Sequence, residues 1–134
     1  MKRAKNTCLK PHVAAVTFCQ NVIRDEATKM PSLIGVFDQI KGRRLPIRYE
    51  RMHVFVSLLG GRGKCPFSLR CRAQDGSPLF EARGETLFKG ALGSADVNIE
   101  ITDLLFAAEG DYVVELYCCG ELAMARPLSV VLED

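Results

Sequence analysis

Phe67-Ser68-Leu69-Arg70-Cys71-Arg72-Ala73 alternates strictly between apolar and polar residues. At a period of two, Phe67, Leu69, Cys71 and Ala73 share one face of an extended strand, while Ser68, Arg70 and Arg72 share the other. A strand with one apolar and one wet face belongs to an antiparallel sheet covered on one side. The same alternation recurs in Val97-Asn98-Ile99-Glu100-Ile101-Thr102 and in the row Tyr112, Val114, Leu116 and Cys118. Met52, Val54, Val56 and Leu58 alternate too, with Phe55 adding apolar surface to the opposite face.

Less regular apolar or β-branched segments lie between these. They are His12 to Gln20, Leu33 to Phe37, Leu79 to Ala82 and Leu122 to Leu132. Turn signals separate the segments at short intervals: Gly60-Gly61-Arg62-Gly63, Asp75-Gly76, Gly90 to Gly93, Gly110 and Cys119-Gly120. Many short strands with regular turns predict an all-β, antiparallel, immunoglobulin-like sandwich of about seven to eight strands. The best helical window is Asp103-Leu104-Leu105-Phe106-Ala107-Ala108-Glu109, closed by Gly110. It predicts at most one short helical turn, connecting strands at one end of the sandwich.

The chain has 134 residues, enough for one domain with a sizeable core. Residues 1–10 are expected to be a mobile basic arm and 11–134 a single sandwich. An apolar fraction of 48% against 25% charged is ordinary for a globular protein, so disorder is not the reading. No apolar run approaches the ~20 residues of a membrane span. The basic start Met1-Lys2-Arg3-Ala4-Lys5 is not followed by an uninterrupted apolar stretch, because Lys10, Pro11 and His12 intervene. The expected location is therefore the cytoplasm, without membrane contact. There all six cysteines (Cys8, Cys19, Cys65, Cys71, Cys118 and Cys119) are expected as free thiols. Cys119, at a turn, is the candidate reactive thiol.

Several segments resemble, as a set, a family of uncharacterised bacterial proteins with small immunoglobulin-like sandwiches. They are Pro31-Ser32-Leu33-Ile34-Gly35-Val36-Phe37-Asp38-Gln39-Ile40 with Leu45-Pro46, then Asp75-Gly76-Ser77-Pro78-Leu79, Glu109-Gly110-Asp111-Tyr112-Val113-Val114-Glu115-Leu116, Gly120-Glu121 and Pro127-Leu128-Ser129-Val130. The match runs from about His12 to Val131. The resemblance implies the fold and supplies no catalytic residues. Gly110 and Tyr112 also resemble the structural corner of such sandwiches, where a Tyr hydroxyl bonds nearby backbone. Val114 stands where antibody domains carry a Cys, and the chain has no Trp, which excludes an antibody-type core.

Net charge is +2, unevenly distributed: residues 1–72 hold 15 Lys and Arg against 4 Asp and Glu, and residues 73–134 hold 3 against 12. Segregated, the basic half would suit nucleic acid or a membrane. Interleaved in one sandwich, the charges would pair across it, which is the expectation here. The sharpest local feature is the basic stretch 41–51, in which Lys41, Arg43, Arg44, Arg48 and Arg51 are candidate anion- or partner-binding residues on a predicted loop. Only Tyr49 is near enough for base stacking.

Other chemistry finds little support. Cys8-x-x-x-His12 has plausible ligand spacing, but Cys65 and Cys71 lie six residues apart on one strand, roughly 20 Å. No Cys-x-x-Cys pair exists, and no metal or cofactor is expected. His12 and His53 are the only histidines, and no nucleophile elbow is present, so an enzyme is not expected. Gly60-Gly61-Arg62-Gly63-Lys64 lacks phosphate-loop spacing. Asp96, Asp103, Glu109 and Asp111 are too scattered for a calcium motif. The resulting expectation is a non-catalytic interaction module that binds another protein. Nucleic-acid or anion binding through 41–51 is the alternative, and homo-oligomerisation is also allowed.

Overall fold

A computed structural model describes residues 8–133. Nine strands form two sheets, and no helix occurs among the described residues. In chain order the strands are β1 (His12–Arg24), β2 (Pro31–Phe37), β3 (Gln39–Gly42), β4 (Ile47–Leu59), β5 (Lys64–Arg72), β6 (Pro78–Leu87), β7 (Ala95–Phe106), β8 (Gly110–Cys118) and β9 (Glu121–Leu132). One sheet has the order β2-β1-β4-β7 and the other β3-β9-β8-β5-β6. All neighbours are antiparallel except β3 and β9, which run parallel from Gln39 opposite Ser129 to Gly42 opposite Leu132.

The alternation read from the sequence orients these strands. Leu69 and Cys71 of β5, Val114, Leu116 and Cys118 of β8, and Met52, Val54, Val56 and Leu58 of β4 all join one buried cluster between the sheets. Arg126 of β9 reaches across the sandwich, donates to the Val16 carbonyl of β1 and lies over the Phe18 ring at 4.8 Å.

The count of nine strands exceeds the expected seven to eight, because the short β3 carries no alternation of its own. The anticipated helical turn is a strand. Ile99 and Ile101 face the core, then Asp103 takes a left-handed φ of 56°, and Leu104 and Phe106 face the core after it. This change of phase puts apolar residues three apart, as a helix would. The paired strand changes phase at the same level, from Ile47 to Met52, so the β4–β7 register is unbroken from Ile47–Phe106 to Leu58–Ala95.

The chain enters β8 through a corner. The Tyr112 hydroxyl donates to the Ala108 carbonyl at 2.8 Å, and its ring packs edge-on against Phe106, with centroids 5.2 Å apart. Gly110 has φ 138°, outside the comfortable range of a side-chain-bearing residue. At the other end of β8, Cys119 and Gly120 have φ of 55° and 79° between the paired Cys118 and Glu121. Two positive-φ residues make a type I′ hairpin turn. Asn or Asp normally takes the place of Cys119, which costs about 1 kcal/mol or more there.

Interleaving disposes of the charge asymmetry. The ion pairs Lys10–Glu121, Arg51–Glu100, Arg70–Glu81 and Arg72–Glu115 each join the basic half of the chain to the acidic half. Of the arm 1–10, residues 1–7 lie outside the described residues. Lys10 is anchored by Glu121 and by the Leu122 carbonyl at 3.5 Å.

Candidate functional site

The basic stretch does not form one surface. Lys41 follows the buried Ile40 on β3 and so points away from the core of the five-stranded sheet. Arg48 and Arg51 point outward from the four-stranded sheet, between or beside the inward Ile47, Tyr49 and Met52. Only Arg43 and Arg44 lie in the connection between β3 and β4, so most of the predicted loop is strand. Arg51 is paired with Glu100 at 3.0 Å, whereas Lys41, Arg43, Arg44 and Arg48 are exposed and have no ion-pair partner among the described residues. The five cations thus straddle an edge of the sandwich and face opposite ways. That geometry suits a solvated edge better than a groove following a phosphate backbone.

The free edges of the two sheets are β2, β7, β3 and β6. Edge strands expose unpaired backbone groups, and proteins usually guard them with charge. β7 carries Asp96, Glu100 and Asp103, β6 carries Glu81, Arg83 and Glu85, and β3 carries Lys41. β2, with the sequence Pro-Ser-Leu-Ile-Gly-Val-Phe, carries none. Phe37 packs on the core opposite Phe18 of β1, and Leu33, half-buried opposite Val22, shares that face of β2. Ile34 and Val36 turn outward and remain 44% and 59% exposed. Ile23 of β1 extends this apolar strip at 48% exposure, and Met30 ends it in the hairpin between β1 and β2. The outer face behind the strip is already apolar, since Cys19, His53 and Phe55 are buried there outside the main core cluster. His53 meets Asn98 Oδ1 through Nδ1 at 3.1 Å.

The remaining unusual chemistry is at the opposite end of β5. Three cysteine sulfurs lie within 4.8 Å of one another there: those of Cys8 from the N-terminal segment, Cys65 in β5 and Cys119 in the turn after β8. Cys8 and Cys119 are joined by a disulfide with Cα atoms 5.7 Å apart. This corrects two expectations. The six cysteines are not all free, and Cys119 is a half-buried disulfide partner rather than an exposed reactive thiol. The Cys65 sulfur lies 3.6 Å from that of Cys119. The Cys119 amide donates to the Pro66 carbonyl at 3.0 Å, which locks the turn onto β5. Burial pushes the Cys118 thiol up to about 12, with Cys65 adding to the shift. Cys71, in the core, is likewise pushed up to about 12 by burial.

Sequence reasoning missed both features. Ile34 and Val36 read as ordinary strand residues until the sheet order leaves β2 without a neighbour on one side. The absence of charge from Pro31 to Phe37 was the available signal. The cysteines come together only through the β5–β8 pairing, and local spacing cannot show that.

Two antiparallel-built sheets packed face to face, with a tyrosine corner entering β8, define an immunoglobulin-like β-sandwich. The chain belongs to the family of unknown function DUF6941, whose model matches residues 14–131. No curated protein matches the sequence. Among solved structures it is similar to an immunoglobulin-like protein of Pseudomonas aeruginosa, at 10% identity and a TM-score of 0.47 over 92% of this chain and 98% of that one. It is also similar to part of the alkylpurine DNA glycosylase AlkC of Pseudomonas fluorescens, solved bound to DNA containing an abasic site analogue. That similarity has 14% identity and a TM-score of 0.46 over 70% of this chain, which spans 27% of the glycosylase. No helix among the described residues is long and apolar enough to cross a membrane.

Proposed function

We propose that this protein is a non-catalytic, cytoplasmic interaction module that binds another protein by taking an extended segment against the outer side of β2. The observation carrying this reading is that β2 is the one edge strand among the described residues without a charged side chain, and that it exposes Ile34 and Val36. Strand addition at a free edge draws affinity from main-chain hydrogen bonds and specificity from alternate side chains. Here Pro31 and the left-handed Gly35, with φ 69°, interrupt the regular edge. Side-chain burial must therefore contribute much of the affinity. Covering the exposed halves of Ile34 and Val36 would add about 2–3 kcal/mol.

The test is a photo-crosslinking residue at Val36, used in the native host, with one at Glu85 on the charged edge β6 as control. The Val36 probe is expected to give an adduct with one other protein, and Ile34→Lys should abolish it. The Glu85 probe should give no such adduct. No adduct from Val36, or the same one from Glu85, contradicts the proposal. An adduct with a second copy of this chain replaces it with self-association.

A further inference from the structure

We propose that the outer face of the five-stranded sheet binds a phosphate monoester carried on a side chain of another protein, gripped by the guanidinium groups of Arg70 and Arg83. Strand pairing brings these groups together. On the outward face, Ser68 of β5 stands between Arg83 of β6 and Tyr117 of β8. Arg70, two residues on, stands between Glu81 and Glu115. Side chains opposed in this way are about 5 Å apart at Cβ, so neighbouring rows can touch. Arg70 leans over the Tyr117 ring, with its guanidinium carbon 4.6 Å from the centroid. One carboxylate oxygen of Glu81 accepts from Nε of Arg70 at 3.3 Å and from Nε of Arg83 at 3.0 Å.

Both guanidinium groups are thus tethered through Nε. Their terminal nitrogens have no hydrogen-bond or ion-pair partner among the described residues, which leaves two planar forks for oxygen anions. Arg83 holds the Glu81 carboxyl below the usual carboxylate range, so the tether stays charged at neutral pH. The forks border a concavity of about 400 Å³ that takes in Ser68 and Tyr117 and reaches Pro66 and Gly120. No acidic residue lines it among the described residues. The nearby acids are engaged elsewhere. Glu115 accepts from Arg72 at 3.1 and 2.7 Å, and Glu85 opens onto a different cleft with Arg24 and Lys89.

Two forks and the Ser68 hydroxyl offer more donors than the two oxygens of a carboxylate can use. The three terminal oxygens of a phosphate monoester match them better. A nucleic-acid backbone would need positive charge continuing along its path. Here Glu81, Glu85 and Glu115 interrupt it, which fits one isolated phosphate. The concavity is also open, with the Arg83 side chain 74% exposed. Sites for free small molecules bury most of their ligand. A phosphorylated side chain instead gains the rest of its contact area from the protein that carries it. This face lies on the other sheet from β2, so the proposal stands apart from strand addition there.

The experiment titrates the full chain with Gly-Ala peptides carrying one phosphoserine or one phosphotyrosine, and follows backbone amide and Arg Nε–Hε resonances. Saturable shifts are expected at Ser68, Arg70, Arg83 and Tyr117 with at least one of the two. The same peptide with Glu at the modified position should bind about 10-fold more weakly or worse. Arg83→Gln and Arg83→Lys should each cost about 10-fold or more, because lysine keeps the charge and loses the fork. Arg43→Gln with Arg44→Gln, and Ile34→Lys on β2, should leave the affinity unchanged. The absence of saturable shifts at Arg70 and Arg83 with both phosphopeptides overturns the proposal. So does an Arg83→Lys chain that binds as tightly as the parent, which would mean charge alone is at work. Tighter binding of adenosine monophosphate than of either peptide also overturns it, in favour of a free nucleotide.

Discussion

Phe106→Ala should destabilise the protein by about 3–5 kcal/mol, the largest loss expected from any single truncation here. Phe106 is fully buried and lies edge-on to Tyr112. Removing the ring leaves a cavity beside the hydroxyl that ties β8 to Ala108, so contacts between the sheets are lost along with apolar burial. Against a total stability of typically 5–15 kcal/mol, this would lower the melting midpoint by about 10–20 °C. Tyr112→Phe removes only the hydrogen bond and should cost about 1 kcal/mol. Denaturant melts of the two variants check the ranking. A Phe106→Ala cost below about 1 kcal/mol would mean that β7 does not pack as described.

The second large effect is alkaline. In the folded chain the Cys71 and Cys118 thiols are pushed from 9.0 to about 12, mainly by burial. Between those values the folded state keeps protons that the unfolded state releases. Stability should therefore be unaffected below pH 9 and should fall as the pH rises toward 12. One pKa unit corresponds to about 1.36 kcal/mol. After allowance for relaxation around the buried thiolates, the two together should cost about 2–3 kcal/mol at pH 11. Chelator-treated protein melted across this range measures the loss, and Cys71→Ala should remove roughly half of it. A flat profile to pH 11 would show that these thiols are not buried as placed.

The parts of the fold legible in the sequence are those where one residue pattern has one physical cause. Phe67 to Ala73 alternates because β5 has one inward face, and Leu69 and Cys71 have no exposed surface. Cys119-Gly120 reads as a turn because Gly120 tolerates positive φ. Asp103 to Glu109 misleads because a left-handed residue in a strand shifts the phase and leaves Ile101 and Leu104 three apart, as on a helix. The candidate sites were less legible, since they depend on which strands end up at an edge or side by side. Lys41 and Arg48 are close in sequence, yet they face opposite ways because β3 and β4 belong to different sheets. Cys8 and Cys119 are 111 residues apart and meet only after β5, β8 and β9 have assembled.

The charge pattern of the edges follows the same logic. Three edges are guarded by charged side chains, which discourage unwanted strand pairing. β2 instead combines apolar side chains with exposure, a combination a solitary soluble domain would be expected to avoid. If that edge is used, its backbone amides must change environment on binding. Amide hydrogen exchange of the chain, alone and in complex with the protein captured through Val36, measures this directly. Exchange is expected to slow from Ser32 to Phe37 on complex formation, with little change in 41–51. Protection confined to 41–51, or no change along β2, would contradict it.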